Sequence, residues 1–261
     1  MRRAAALAVL ALLAATPAAA EGGWRPIFNS RDLTGWTPKI NHRPLGENWR
    51  DTFRVEDGVL KVSYAQYPSF KDEFAHLIYK RRLSNYRIRL EYRFTGPPPP
   101  GAQAWAWRNS GVMIHGQVPE AMALDQPYPI SVEAQLLGGN KPGEDRPTGN
   151  VCTPGTTVTL EGHAEPMAEH CLNSHSPTFQ DGEWVRFEVE VHGGRSVRQY
   201  VNGELVMAYG DVHLAPGEYK RFADIEPGDA RATPLTSGFI SLQGESSPVE
   251  FRRIELKVLP R

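Results

Sequence analysis

The sequence predicts an all-β chain, a sandwich or barrel of short antiparallel strands, on three observations. Apolar and polar residues alternate with period two in several separate stretches. Two-residue turn signals punctuate those stretches, and no long amphipathic helix is visible. The 24 glycines and 22 prolines among 261 residues supply turns in number.

Taken from the start, Met1-Arg2-Arg3 is basic, residues 4–15 are an unbroken apolar run, and Ala18-Ala19-Ala20 is small. That order is the pattern of a secretory signal peptide over residues 1–20, with cleavage expected after Ala20 and an exported, secreted or periplasmic product. The run is shorter than the roughly 20 residues a spanning helix requires, so no membrane span is expected. Residues 21–261 then form one domain, since neither a repeat nor a linker interrupts them. The net charge of −1, from 29 basic and 30 acidic side chains, argues against a nucleic-acid partner. A hydrophobic content of 40% excludes a disordered chain.

The strands follow from their alternation. Tyr86, Ile88, Leu90, Tyr92 and Phe94 interleave with Arg87, Arg89, Glu91 and Arg93. Val185, Phe187, Val189 and Val191 do the same with Arg186, Glu188, Glu190 and His192, and Phe251, Ile254, Leu256 and Val258 follow after one slip. Such segments are half-buried antiparallel strands. Glu56-Asp57-Gly58, His192-Gly193-Gly194 and Asn202-Gly203 are turns, the last a two-residue hairpin between 197–201 and 205–209. The stretches 97–100 and 138–178 are expected to be long loops. Cys152 and Cys171 are the only cysteines, which in an oxidising compartment suggests one disulfide. A metal site with His163, His170 and His175 is the competing reading, although their spacing matches no zinc pattern.

Three further segments place polar residues on one face by parity. Asn109, Met113 and His115 lie opposite Val112 and Ile114. Ser131, Glu133 and Gln135 lie opposite Ile130, Val132, Ala134 and Leu136. Ser241, Gln243 and Glu245 lie opposite Ile240 and Leu242. As neighbours in a sheet they would form a surface of carboxylates, amides and an imidazole, which Arg89, Glu91 and Arg93 could join. Such a surface is either a solvated outer face or, with Trp105 and Trp107 nearby, a carbohydrate site.

The segment Phe28-Asn29-Ser30-Arg31-Asp32-Leu33-Thr34-Gly35-Trp36 resembles the Phe-Asn-Gly-Lys-Asp-Leu-x-Gly-Trp opening of the 3-keto-disaccharide hydrolase domain family. Four later stretches are similar to that family in the same order. They are Arg108-Asn109-Ser110-Gly111-Val112, Val132-Glu133-Ala134-Gln135, Asp181-Gly182-Glu183-Trp184 with Val201-Asn202-Gly203, and Ile240-Ser241-Leu242-Gln243 with Val249-Glu250-Phe251-Arg252. The resemblance implies a concanavalin A-like β-sandwich (a jelly roll) in a carbohydrate-handling protein. The family often has Gln-x-His-Gly where this chain has Gln243-Gly244-Glu245-Ser246, which changes the identity of a candidate acid or base. The Glu-x-Asp-x-x-Glu strand motif of laminarinase-type glucanases is absent, since Ala134, Gln135 and Leu136 follow Glu133. An ordinary retaining glucanase, which needs two carboxylates about 5 Å apart, is not expected.

A carbonyl at C3 of a glycoside acidifies the C2 proton, so the C1 oxygen can leave by β-elimination. Parity and resemblance together assign Glu133 as base and His115 as acid or second base. They give Arg108 to the enolate oxygen, with a divalent metal ion left open as a helper. Asn109, Gln135, Gln243 and Glu245 hold hydroxyls, with Trp107 and Glu91 as further substrate contacts. The alternative is a non-catalytic, lectin-like carbohydrate-binding module on the same face.

Overall fold

The computed structural model describes residues 23–215 and 233–260, and the signal sequence expected at residues 1–20 lies outside them. Sixteen strands occur among the described residues. In chain order they are β1 (Arg25–Pro26), β2 (Trp36–Ile40), β3 (Phe53–Glu56), β4 (Val59–Val62), β5 (Ala75–Tyr79), β6 (Asn85–Phe94), β7 (Asn109–Gly116) and β8 (Val132–Leu137). Then come β9 (Asn150–Cys152), β10 (Thr156–Leu160), β11 (Cys171–Leu172), β12 (Val185–His192), β13 (Ser196–Val201), β14 (Glu204–Leu214), β15 (Phe239–Gly244) and β16 (Val249–Val258). Helical structure among the described residues is limited to 3-10 turns.

The strands form two antiparallel sheets packed face to face, the sandwich expected from the alternation. The nine-stranded sheet runs β10-β14-β13-β12-β6-β16-β4-β3, with β1 on β16, and the seven-stranded sheet runs β11-β9-β8-β7-β15-β5-β2. Along β6 the apolar residues are buried and the residues between them are half-exposed, one side chain in two. Val112, Ile114, Val132, Ala134, Leu136 and Leu242 of the seven-stranded sheet meet Ile88, Leu90, Phe187, Val189 and Phe251 of the other in one core. The Asn202-Gly203 hairpin joins β13 to β14 with φ of 51° and 93°, which a mirror-type turn requires. Asp57-Gly58 joins β3 to β4 in the same way, with φ of 51° and 77°.

Two of the register irregularities alter the parity read from the sequence. The slip in β16 is a bulge between Arg252 and Glu255, with Arg253 at φ 53°. A second bulge lies between β15 and β7, where His115 takes φ 54°. Gly238 makes it possible, because a Cβ there would sit 2.2 Å from the His115 carbonyl carbon.

The stretch 138–178 is not the long loop expected. It contains β9, β10 and β11, strands of two to five residues whose Thr, Asn and Cys content gives no apolar alternation to read. Cys152 and Cys171 face each other across the β9–β11 ladder and form the expected disulfide.

Candidate active site

The outer face of the seven-stranded sheet carries the three parity-matched segments side by side. Register pairs Gly111 with Gln135, Met113 with Glu133, and Gln135 with Asn150. On the other side Gln243 pairs with His76, and His76 with Lys39. Gly111 sits level with Gln243, one step beyond the Val112–Leu242 pair. One row of polar side chains therefore crosses the sheet from Asn150 to Lys39, with a glycine in its middle.

That glycine has a specific use. A Cβ at Gly111 would lie 2.7 Å from Glu133 Oε1 and 2.8 Å from its Cγ, so Glu133 lies across β7 where a side chain would otherwise stand. Glu133 is 6% exposed, and its Oε1 has no hydrogen-bond partner. Glu245, 3% exposed, follows directly on β15; Tyr128 donates its hydroxyl to Glu245 Oε1 at 2.8 Å, and Oε2 is unpartnered. Burial, and then the nearby Glu245, push the Glu133 carboxyl well above the usual carboxylate range. Burial pushes Glu245 up to about 8, while the Tyr128 hydroxyl and the Arg146 charge pull it the other way.

Around the pair lie more buried polar atoms without protein partners. Gln243 is fully buried, and neither its amide oxygen nor its nitrogen is bonded. Asn109 Oδ1 and His76 Nδ1 are likewise unsatisfied. The other His76 nitrogen, Nε2, donates to the Pro127 carbonyl at 3.1 Å, and burial holds the ring neutral by lowering its pKa to about 3. A buried polar group left unbonded costs about 1–3 kcal/mol, so a cluster of them on one face is a feature to be explained by what it binds. Gln135 is different, since its Oε1 accepts from Asn150 Nδ2 at 3.1 Å.

His76, Tyr128 and Arg146, like Lys39 and Asn150 at the ends of the row, were not singled out in the sequence. His76 lies inside Ala75–Tyr79, a wholly buried strand without alternation. Tyr128 and Arg146 come from loops. Arg146 Nη1 donates to the carbonyls of Arg108 (3.1 Å) and Gly138 and to Asn140 Oδ1 (3.1 Å), which fixes the guanidinium beside Glu245. Tyr128 packs on Phe74 at 5.0 Å between centroids, and Phe74 stacks on Trp105 at 6.0 Å. Glu245 thus has both the Arg146 charge and the Tyr128 ring as neighbours.

Four candidates stand elsewhere or are otherwise engaged. His115 does not share the polar face, because the bulge turns it. Its Nε2 reaches the Gly193 carbonyl at 2.9 Å, in the β12–β13 turn of the opposite sheet, and burial lowers its pKa to about 4. Glu91 is on the outer face of the nine-stranded sheet, paired with Arg252 at 2.6 Å and Arg253 at 2.8 Å. Parity fixed its face but not its sheet, and Arg89 and Arg93 go with it, paired to Glu255 and Glu250 at 2.7 Å each. Arg108 donates to the Gly139 carbonyl and lies 3.5 Å from Asp181, so its contacts hold two loops together rather than facing the pair. Trp107 is half-buried, with the Arg108 guanidinium 5.4 Å from its ring centre and its indole N–H unpartnered.

A divalent ion would need a convergent donor set. Among the described residues no three His, Cys, Asp or Glu side chains come together to hold one. The roles proposed for this face are assigned to side chains alone.

The fold is a jelly-roll β-sandwich whose seven-stranded sheet carries buried acids and amides with unbonded atoms on its outer face. The family model of the 3-keto-alpha-glucoside-1,2-lyase-like domain matches residues 23–257, and the chain belongs to that family. No curated protein matches it in sequence. A Parabacteroides distasonis protein proposed to be a glycosyl hydrolase is similar in structure, with 20% identity and a TM-score of 0.52 over 91% of this chain and 94% of that one. A second structure described in the same terms, from the same organism, has 20% identity and a TM-score of 0.51 over 90% and 99%. At these identities the likeness shows the fold alone.

Proposed function

We propose that this protein cleaves the C1–O bond of 3-keto-glycosides by β-elimination, with Glu245 as base and Glu133 as acid. The observation that carries the reading is the pair of neighbouring carboxyl groups, both pushed up by burial and Glu133 further by Glu245, each with an unbonded oxygen, beside the unbonded amide of Gln243. Groups held near their protonated state transfer protons well around neutrality. A solvated, fully charged pair would not.

The roles follow from the partners. Tyr128 and Arg146 favour charge on Glu245, whereas Glu133 has nothing comparable, so the first negative charge of the pair belongs on Glu245. This departs from the roles expected from the sequence, where Glu133 was the base, His115 the acid or second base, and Glu245 a hydroxyl contact. Glu245 takes the C2 proton, and the C–H electron pair becomes the C2–C3 double bond of an enolate. The Gln243 amide N–H is the donor available to the C3 oxygen as its charge grows. When the enolate collapses, the C1–O bond breaks and Glu133 gives its proton to the departing oxygen. The pair ends with Glu245 protonated and Glu133 ionised, as if one proton had moved from Glu133 to Glu245. The sugar product is an unsaturated 3-ketone with a C1–C2 double bond, and addition of water across it completes a net hydrolysis.

A binding module of the same fold requires polar groups and aromatic faces but not two acids forced together, which favours the enzyme. The test is incubation of purified protein with a 3-keto-disaccharide and its unoxidised parent, followed by mass spectrometry. Cleavage of the keto sugar alone is expected. Saturable binding of either sugar without any cleavage would replace the enzyme with the module.

Export belongs to the same reading. The basic start, apolar run and small-residue end of residues 1–20 support it, as does the disulfide. N-terminal sequencing of the protein from its native host should begin at Glu21; a chain that retains Met1 or the apolar run would contradict it.

A further inference from the structure

Trp105 is 52% exposed, yet its indole is held at two places. Its N–H donates to Gln103 Oε1, and Gln103 Nε2 in turn donates to Asp72 Oδ1 at 3.0 Å. One face of the ring stacks on Phe74, with 25° between planes, and Phe74 continues through Tyr128 to Glu245. A large aromatic side chain that is both exposed and fixed is a ready platform for a flat apolar surface.

The rings of Phe74 and Tyr128 separate this platform from the carboxylates. A sugar reacting between Glu133 and Glu245 therefore fills the space next to the acids, and Trp105 meets whatever extends beyond it. The extension that every 3-keto-glycoside possesses is its C1 substituent. We infer that Trp105 forms a leaving-group subsite that stacks a ring, aryl or pyranose, attached at C1. The inference rests on the proposed elimination, because that reaction defines which group leaves.

Affinity by calorimetry and turnover by NMR are measured on the wild type, Trp105→Ala and Trp105→Phe. The ligands are the methyl, phenyl and glucosyl 3-keto-glucosides. Trp105→Ala is expected to weaken binding of ring-bearing ligands about fivefold, as befits loss of one stacked pair. The methyl glycoside should be unaffected, and Trp105→Phe should recover most of the loss. A loss with only the phenyl or only the glucosyl ligand supports the subsite and identifies the ring it takes. Equal loss for all three ligands, or none for any, overturns it. If the wild type turns over nothing while Trp105→Ala still weakens ring binding, the elimination fails and the stacking site stands. If turnover is normal and ring binding is insensitive to Trp105, the reverse holds.

Discussion

The two outer faces of this sandwich are made from the same alphabet and do opposite things. On the nine-stranded sheet Arg87, Arg89, Glu91 and Arg93 project toward water, and each has an oppositely charged partner on a neighbouring strand. Trp184 packs against Arg93 and against Arg252, the partner of Glu91, with the guanidinium carbons of Arg252 and Arg93 at 3.9 and 4.5 Å from its ring centre. On the seven-stranded sheet Glu133, Gln243 and Glu245 are buried and retain atoms that nothing in the protein satisfies. On one face each of these charges has an opposite charge beside it, and on the other the buried acids and the Gln243 amide keep atoms that no protein group bonds. Polar alternation therefore says that a face exists, and pairing says whether it is finished.

The largest expected contrast is catalytic. Glu245→Gln should reduce kcat/KM on a 3-keto-glycoside by about a thousandfold or more, within the range for losing a proton-transfer group, while Glu91→Gln changes it by less than about twofold. Steady-state kinetics on both variants checks this, and equal losses would break the comparison.

The pH dependence of stability comes next. A carboxyl whose folded pKa is raised stabilises the fold fully below its ordinary value of 4.5, and that contribution is lost as pH rises through about 8. Glu245→Gln should therefore gain stability over the wild type at pH 9 by about 1 kcal/mol or more, with little gain at pH 4. Urea titrations at the two pH values measure it. A gain at pH 4 that disappears at pH 9 would have the wrong sign.

His115 tests the bulge. His115→Gln should lower unfolding stability by about 1 kcal/mol through loss of the bond to the Gly193 carbonyl, with kcat/KM within about twofold of wild type. A large catalytic loss in a stable variant would return His115 to the site. The smallest effect belongs to the ion-pair face, where Glu91→Gln should cost no more than about 1 kcal/mol, reduced further by salt.

The strands and the sandwich were legible because the apolar period of two survives in the long strands β6 and β12. Glu133, Gln135, Gln243 and Glu245 were legible for the same reason, each sitting opposite a buried aliphatic residue. His115 was misplaced because the added residue of a bulge reverses parity, and its signal, a close backbone contact at Gly238, exists only in three dimensions. Glu91 was misplaced because alternation does not say which sheet a strand joins. Tyr128 and Arg146 stand on loops, where no period operates, and their roles come from what they reach across space.

The central claim is that Glu245 removes the C2 proton and Glu133 expels the C1 group. The most direct measurement is NMR of a 3-keto-glucoside in heavy water, following deuterium entry at C2 and release of the aglycone with wild type, Glu245→Gln and Glu133→Gln. Glu245→Gln should show neither event, and Glu133→Gln should exchange C2 while releasing the aglycone slowly. Exchange that persists in Glu245→Gln and vanishes in Glu133→Gln would assign the base to Glu133, and wild-type exchange at both as the variants retain it would remove the pair from the chemistry.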